Sequence, residues 1–443
     1  MPRIDTVTIV GAGLAGAEAA WQLVRRGIPV RLLDMKPQKY SPAHHMQGFA
    51  ELVCSNSLKA EQLSNASGLL KAEMKKLDSL ILACAEKSRV PAGGALAVDR
   101  DKFSELITET LMQHPLVTFE TALVDKVPQG PCIIATGPLT DDALAEAIAE
   151  MPGFRALHFF DAAAPIVTAE SLDMEKVFRA SRYDRGSDYL NCPMTEAEYN
   201  AFYDALMGAE LAELHDFEKK MVFEGCLAVE ILASRGRQTL AFGPLKPVGL
   251  IDPRTGREPY AVVQLRQENE SGTMYNLVGF QTRLKWGEQK RVFSMIPGLE
   301  HAEFARYGVM HRNTYLNSPD VLGANYALKS DPSIRFAGQL TGVEGYMESA
   351  ASGMTAAIGL ACHMLGRPEP DFTGQTVLGA LARHVCTPTG NFQPMNTNFG
   401  ILEPLGERVR GKRLRYEKLS ERALNVLDGV IEAHDLNAMR ADG

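Results

Sequence analysis

The stretch FEGCLAVE, Phe223 to Glu230, sets one cysteine behind a glycine with a carboxylate on either side. Cys226 has two readings: a small apolar residue filling a core, as cysteines commonly do, or a thiol placed to react. Gly225 gives the backbone freedom, and LAVEILASRG reads as a helix beginning just after the cysteine and ending at Gly236. A thiol at a helix N-terminus gains thiolate character from the helix dipole. Glu224 and Glu230 push the other way unless they point elsewhere. Cys54, in ELVCSNSLKAE, is placed similarly, before a Ser55-Asn56-Ser57 cluster expected to cap a helix over LKAEQL. It stands as partner thiol or as packed residue. The other five cysteines sit in apolar or ordinary contexts, and none of the seven forms a C-x-x-C pair, so neither a structural zinc nor a disulfide framework is indicated.

Reactive side chains need a frame. IDTVTIV, Ile4 to Val10, reads as a buried strand, GAGLAG follows, and AEAAWQLVRRG reads as a helix closed by Gly27. Ile28 to Leu33 is a second apolar strand ending at Asp34, 18 residues beyond Gly16. This is the first βαβ unit of a doubly wound α/β fold. In the loop, Val10 to Gly16 (Val10, Gly11, Ala12, Gly13, Leu14, Ala15, Gly16) is the candidate pyrophosphate cradle. Gly11 makes the turn, Gly13 admits the phosphates, Gly16 lets helix and strand pack, and Asp34 can accept a ribose diol. PCIIATG, Pro131 to Gly137, is another strand ending in glycine, and IRFA leads into GQLTGVEGYMESAASG, with a small-residue helix expected from Ser349. Gly137, Gly338, Gln339 and Gly342 join the cofactor set. The late glycine segment favours FAD over NAD. No second G-x-G-x-x-G occurs, so a nicotinamide would only visit the flavin.

Strand–glycine–helix patterns at both ends imply one Rossmann-type FAD-binding domain built from two distant segments, residues 1–157 and 331–443. Between them, 158–330 changes character, with the turn DPRTGREP and alternating strands YAVVQLRQ and YNLVGFQTRL. It reads as an inserted α+β substrate domain. At 45% hydrophobic and 23% charged, the 443-residue chain is an ordinary globular one. No apolar stretch reaches the ~18 residues a membrane span needs, and no secretory leader is legible, so a cytoplasmic protein without membrane or metal partners is expected. Net charge is −8, so nucleic acid would need a local basic patch. Arg408, Arg410, Lys412, Arg413, Arg415 and Lys418 supply one around Tyr416, opposed only by Glu417. Phosphate binding and a solvated basic face are both open readings. Arg283, Lys285, Lys290 and Arg291 around Trp286 form a second candidate patch.

ELVCSNSLKAE, PAGGALAVDRDKF, RGRQTLAFGPLKPVGL, VGFQTRLKWGEQKRVFSMIPGL, AGQLTGVEGYMESAASG and CTPTGNFQPMNTNFG run in order through the chain. Together they closely resemble the TrmFO family, folate- and FAD-dependent tRNA (uracil-5-)-methyltransferases that are smaller relatives of MnmG (GidA). The match covers essentially residues 4–402. The resemblance implies 5-methyluridine formation in the T-loop of tRNA, with 5,10-methylenetetrahydrofolate as carbon donor and NADPH or NADH as reductant through FAD. It carries functional roles onto Cys226 and Cys54. Carbon 5 of uracil is a poor nucleophile, and a thiolate adding to carbon 6 makes it enolate-like; with that reaction in view, a reactive Cys226 becomes the better reading. Tyr346 could stack on a pterin or uracil face, or simply pack in its loop. One departure is Asp34-Met35-Lys36-Pro37, where the family pattern is Glu-Met-Arg-Pro. Asp is shorter, and Lys36 lacks the guanidinium fork. A plain flavin or disulfide reductase would want a paired cysteine motif and a second nucleotide motif. An MnmG-type wobble-uridine enzyme would carry a longer helical extension. An FAD-containing tRNA-binding protein without chemistry is separated only by turnover.

Overall fold

The computed structural model describes residues 5–162, 164–183, 186–212, 227–308, 310–388 and 392–439. The first segment runs β1 (Val7–Val10), α1 (Leu14–Val24), β2 (Val30–Asp34), β3 (Ser57–Ala60), α2 (Ala66–Lys76), α3 (Leu80–Lys87), β4 (Arg89–Val90), β5 (Ala95–Val98), α4 (Arg100–Met112), β6 (Val117–Thr121), β7 (Cys132–Ile134) and α5 (Asp142–Ala149). The middle holds β8 (Ala156–Ala162), β9 (Ile166–Thr168), β10 (Phe178–Arg179), β11 (Tyr189–Met194), α6 (Glu196–Met207), α7 (Val229–Ser234), α8 (Thr239–Phe242), β12 (Ala261–Gln267), β13 (Met274–Leu277), α9 (Trp286–Phe293), β14 (Phe304–Arg306) and β15 (Met310–Leu316). The last segment adds α10 (Ser318–Val321), β16 (Ala327–Leu328), β17 (Asp331–Phe336), α11 (Tyr346–Met364), α12 (Val377–Cys386) and α13 (Lys412–His434).

Six strands form the first sheet in the order β16-β17-β7-β1-β2-β6. All neighbours are parallel except the β16–β17 edge pair. The chain's far end therefore enters the sheet beside β7, as the two glycine segments imply. Val7, Ile9, Leu32, Ile133 and Phe336 are fully buried, the expected state of parallel strands covered by helices on both faces. The small-residue sequences of α1 and α11 serve one contact: a Cβ on Gly353 would stand 2.1 Å from the Ala15 carbonyl oxygen. Only glycine lets these helices cross so closely. α11 begins at Tyr346, three residues before the expected Ser349, because Gly345 at φ +118° turns the chain into it.

The middle segment forms a second six-stranded sheet in the order β10-β11-β12-β13-β9-β14, antiparallel throughout. Its inner face packs on α6 and α9 around Tyr199, Phe202, Phe280 and Phe293. The β8–β15 ribbon carries the chain out to this layer and back. Across the junction, Asn56 Nδ2 donates to the Gln267 carbonyl at 2.8 Å, and Arg100 Nε to Glu268 at 2.8 Å.

The helix expected over LKAEQL is absent: residues 57–60 form β3, paired with β5. Ser55 Oγ instead accepts from the Ser57 amide at 3.1 Å in a local turn. Such side-chain-to-backbone bonds support turns as readily as helix caps. Among the described residues no helix is long and apolar enough to cross a membrane, and no metal-binding cluster occurs.

Candidate functional site

A cleft opens where β1, β2 and β7 end, the place where doubly wound sheets bind ligands. Val10, Gly11, Gly13, Leu14, Ala15, Asp34, Gly137, Gly338 and Gln339 all face it. The loop glycines have separate reasons. Gly11 has φ +101°, and a Cβ there would strike the Ala135 carbonyl oxygen at 2.5 Å. A Cβ on Gly16 would stand 1.8 Å from the Gly11 oxygen, so its hydrogen is what seats α1 on the loop. A Cβ on Gly13 would meet nothing within 4 Å. It would project into open space, as a cradle left for a phosphate requires. Ala12 is buried, and its amide donates to Asp34 Oδ2 at 2.7 Å; Oδ1 accepts from the Lys36 amide at 2.9 Å. Asp34 is thereby fixed at the cleft wall. Lys36 is buried and gives its ammonium to the Gly48 carbonyl at 2.7 Å, with Glu51 4.0 Å away. These features fit the pyrophosphate and ribose of FAD.

Gly342 does not face the cleft. A Cβ there would meet the Phe392 ring at 2.5 Å, and the residue serves instead to pair the chain with Met395. Sequence reasoning missed Gly137's neighbours Thr136, Pro138, Leu139, Thr140 and Asp141, which line the cleft, and likewise Glu51 and His44. ATGPLT after a short strand was the available signal. Burial holds the His44 imidazole below its usual range, against the pull of Glu51.

At the far end the structure brings Tyr346 and Cys54 together. The Tyr346 hydroxyl oxygen accepts from the Cys54 amide at 2.7 Å and the Ser55 amide at 3.1 Å. Tyr346 also lines the cleft. Burial, then the neighbouring Cys54, raises its phenol well above the usual value. Three arginines hold the same loop, Arg100 from α4 and Arg266 and Arg306 from across the junction. Arg100 donates to the Leu52 carbonyl at 2.6 Å, Arg306 to the Val53 carbonyl, and Arg266 to Ser55 Oγ at 2.7 Å. Burial depresses the Arg306 guanidinium, and repulsion from Arg100 depresses it further. With β3 replacing the expected helix, positive charge at Cys54 comes from these side chains and not from a helix dipole. None was legible as a partner, because the contacts span 48 to 253 residues.

Cys226 and Glu224 lie outside the described residues. The described chain resumes at Leu227, and α7 starts at Val229 with Ala228 as its N-cap, two residues later than expected. The helix has only six residues, so little dipole is available. Glu230 is held by neighbours in the strand-rich layer: Thr282 Oγ1 donates to it at 2.9 Å and the Arg283 amide at 3.0 Å. Burial raises its carboxyl above the usual range.

The basic run opens α13. Arg410, Lys412, Arg413 and Arg415 are exposed. Arg413 pairs with Glu417 at 2.9 Å, while Lys412 and Arg415 lie 5.5 Å from the Tyr416 ring centre. Phe399 stacks on that ring at 4.1 Å. Glu407, which pairs with Lys418, is a second opposing carboxylate beside Glu417.

Fold and cleft together define a dinucleotide-binding flavoprotein with a strand-rich layer docked on its nucleotide-binding fold. The chain matches the family model for glucose inhibited division protein A over residues 6–368. It is 59% identical to methylenetetrahydrofolate–tRNA-(uracil-5-)-methyltransferase TrmFO of Acetivibrio thermocellus, covering 97% of this chain and 100% of that one. It is 58% identical to the TrmFO of Staphylococcus saprophyticus, covering 96% and 98%. The crystal structure of Aquifex aeolicus GidA shares the fold at a TM-score of 0.71 and 14% identity, over 98% of this chain and 78% of that one. The chain belongs to the TrmFO family within the glucose inhibited division protein A group.

Proposed function

We propose that this protein methylates carbon 5 of the T-loop uridine of tRNA, giving 5-methyluridine, with 5,10-methylenetetrahydrofolate as the carbon donor. Full-length identity of 57–59% to relatives named methylenetetrahydrofolate–tRNA-(uracil-5-)-methyltransferase carries the reading, and the T-loop position follows from the family resemblance. FAD would lie along Gly11–Gly16, Asp34, Gly137 and Gln339, and when bound would supply the two electrons that take methylene to methyl. NADPH or NADH is the expected source of those electrons.

The protein's own groups do the rest. Cys226 is assigned the thiolate that adds to uracil carbon 6; carbon 5, now enolate-like, forms the bond to the one-carbon unit. Loss of the carbon-5 proton with cleavage of the folate nitrogen–carbon bond releases tetrahydrofolate. The two electrons that bound FAD would supply complete the methyl group, and departure of the thiolate restores the ring. Cys54, held by Tyr346 among Arg100, Arg266 and Arg306, is assigned the partner thiol, because cationic neighbours stabilise a thiolate. Tyr346 therefore acts first as the anchor of Cys54; its hydroxyl is committed to two amides. Arg410, Lys412, Arg413 and Arg415 are assigned to tRNA phosphates. Two FAD-domain segments, 1–157 and 331–443, flanking a substrate domain at 158–330, and a cytoplasmic setting complete the proposal. The test is incubation with T-arm RNA, methylene-labelled folate and NADPH, followed by nucleoside analysis. Label in 5-methyluridine is expected. Methylation supported by S-adenosylmethionine without folate would overturn it.

A further inference from the structure

At the edge of the second sheet four aromatic rings run from the core to the surface. Phe293 is fully buried, and Phe304 lies 6.5 Å from it, centre to centre. Tyr307 stacks on Phe304 at 5.0 Å with 11° between planes, and Trp286 stacks on Tyr307 at 5.5 Å and 12°. Three rings are thus nearly parallel, and the outermost, Trp286, is 61% exposed. A lone exposed tryptophan is ordinary; one backed by two parallel stacked rings anchored in a core is a rigid platform, its ordering cost already met in the fold.

Its surroundings are cationic. Lys285, Lys290 and Arg291 are exposed on the same short helix turn or next to it. Lys285 and Arg291 also reach Glu210 and Glu288, while Lys290 has no ion-pair partner among the described residues. The ladder also touches the chemistry: Arg306, the residue before Tyr307, donates to the Val53 carbonyl beside Cys54. Segment 281–285, just before Trp286, holds both described flanks of the stretch that contains Cys226, through Ala212 N to Arg283 O at 2.8 Å and Val229 N to Gln281 O at 2.7 Å.

We infer that Trp286 is a stacking platform for an unpaired nucleobase of the RNA substrate, extending the Phe304–Tyr307–Trp286 pile by one ring. Base stacking on an exposed aromatic beside cations is how proteins hold single-stranded loops. The exposure argues against a pterin there, since small-molecule sites enclose most of their ligand. The inference rests on the tRNA reading above and adds to it a second contact face, separate from the α13 run.

The test uses full-length, FAD-loaded protein and a fluorescein-labelled T-arm stem-loop RNA. Trp286→Ala should weaken binding about tenfold, within the range for one stacked base. The slope of log Kd against log salt should stay unchanged, because stacking releases no counterions. Trp286→Phe should recover much of the affinity. In a Trp21→Phe background the RNA should quench indole emission; FAD content reports the fold. If Trp286→Ala fails to retain FAD, the Phe variant and the quench decide the matter. Wild-type affinity in Trp286→Ala, or an effect confined to the KM for methylenetetrahydrofolate, or a change in sedimentation without loss of RNA affinity, would each overturn the inference. Where wild type methylates the RNA and the variant binds it equally well, this inference alone falls. Where wild type leaves the RNA unmodified, the tRNA reading falls with it.

Discussion

One methyl group, added at two glycines three residues apart, should produce opposite signatures. At Gly13 the backbone sits at φ −72°, ψ −171°, open to any residue, and the new methyl would meet nothing within 4 Å. Gly13→Ala should therefore leave the flavin-free protein within ~0.5 kcal/mol of wild type, or slightly stabilise it by restricting the unfolded chain. The same methyl occupies the cradle, so FAD affinity should fall. At Gly16 the methyl would stand 1.8 Å from the Gly11 carbonyl oxygen. A carbon–oxygen contact needs about 3.3 Å, so α1 must retreat by roughly 1.5 Å. It cannot retreat freely, because Ala15 on its other side is held against Gly353 of α11. Overpacking pinned from two directions belongs at the upper end of the usual 1–3 kcal/mol, about 3. Urea denaturation of flavin-stripped protein, followed by FAD titration of each variant, separates the two. A Gly16→Ala protein as stable as wild type would refute the packing argument. Undiminished FAD binding by Gly13→Ala would refute the placement of the pyrophosphate.

Cys226→Ala should keep FAD and lose methylation by orders of magnitude, whereas a packing role predicts near-normal turnover and a loss of ~1–2 kcal/mol; melting and turnover on one preparation decide. Tyr346→Phe strips the acceptor from two amides of the Cys54 loop, so about 2 kcal/mol should be lost, and Cys54 should alkylate at an altered rate; unchanged stability and reactivity would sink the anchoring role. Lys71 is buried with its ammonium on the Ala60 and Ser67 carbonyls, and burial lowers its pKa from 10.5 to about 8. The unfolded chain then holds more protons between pH 8 and 10.5, so this residue's contribution is present above 10.5 and lost as pH falls through 8. Stability should rise across that window by on the order of 3 kcal/mol, and Lys71→Met should flatten the rise; an equal slope in the variant would contradict it.

The legible parts of the fold were those written locally. A strand, a glycine loop and a helix lie within some thirty consecutive residues, and Asp34 reaches back only to Ala12. The second glycine segment was readable for the same reason, and β17 does enter beside β7. What failed was a local rule met by a competing local rule. Ser55-Asn56-Ser57 is as good a turn as it is a cap, and pairing with β5 selected the strand. Gly342 was assigned to the cofactor from its neighbours, yet its backbone serves the Met395 pairing. The start of α11 slipped because glycine at 345 begins a helix here, a position where side-chain caps are the usual signal.

That failure changes how the chemistry near Cys54 has to be understood. Read from sequence, the thiol borrowed its charge from a helix end, a property of its own segment. In the folded chain it depends on Arg100, Arg266 and Arg306, which arrive from α4, β12 and β14 and bond the carbonyls and side chains of residues 52–56. Two of the three belong to the strand-rich layer, so the environment of Cys54 exists only while that layer stays docked on the dinucleotide fold. Glu268 adds to the docking by pairing with Arg100 at 2.8 Å. Burial works against the Arg100 charge, but Glu268 and then Tyr346 more than offset it, and the guanidinium ends above its usual value. Glu268→Gln should thus loosen the junction and move Cys54 reactivity, while leaving Gly11–Gly16 and its flavin untouched. Alkylation kinetics measured beside FAD content test this directly: lost flavin with an unchanged thiol would place the dependence elsewhere.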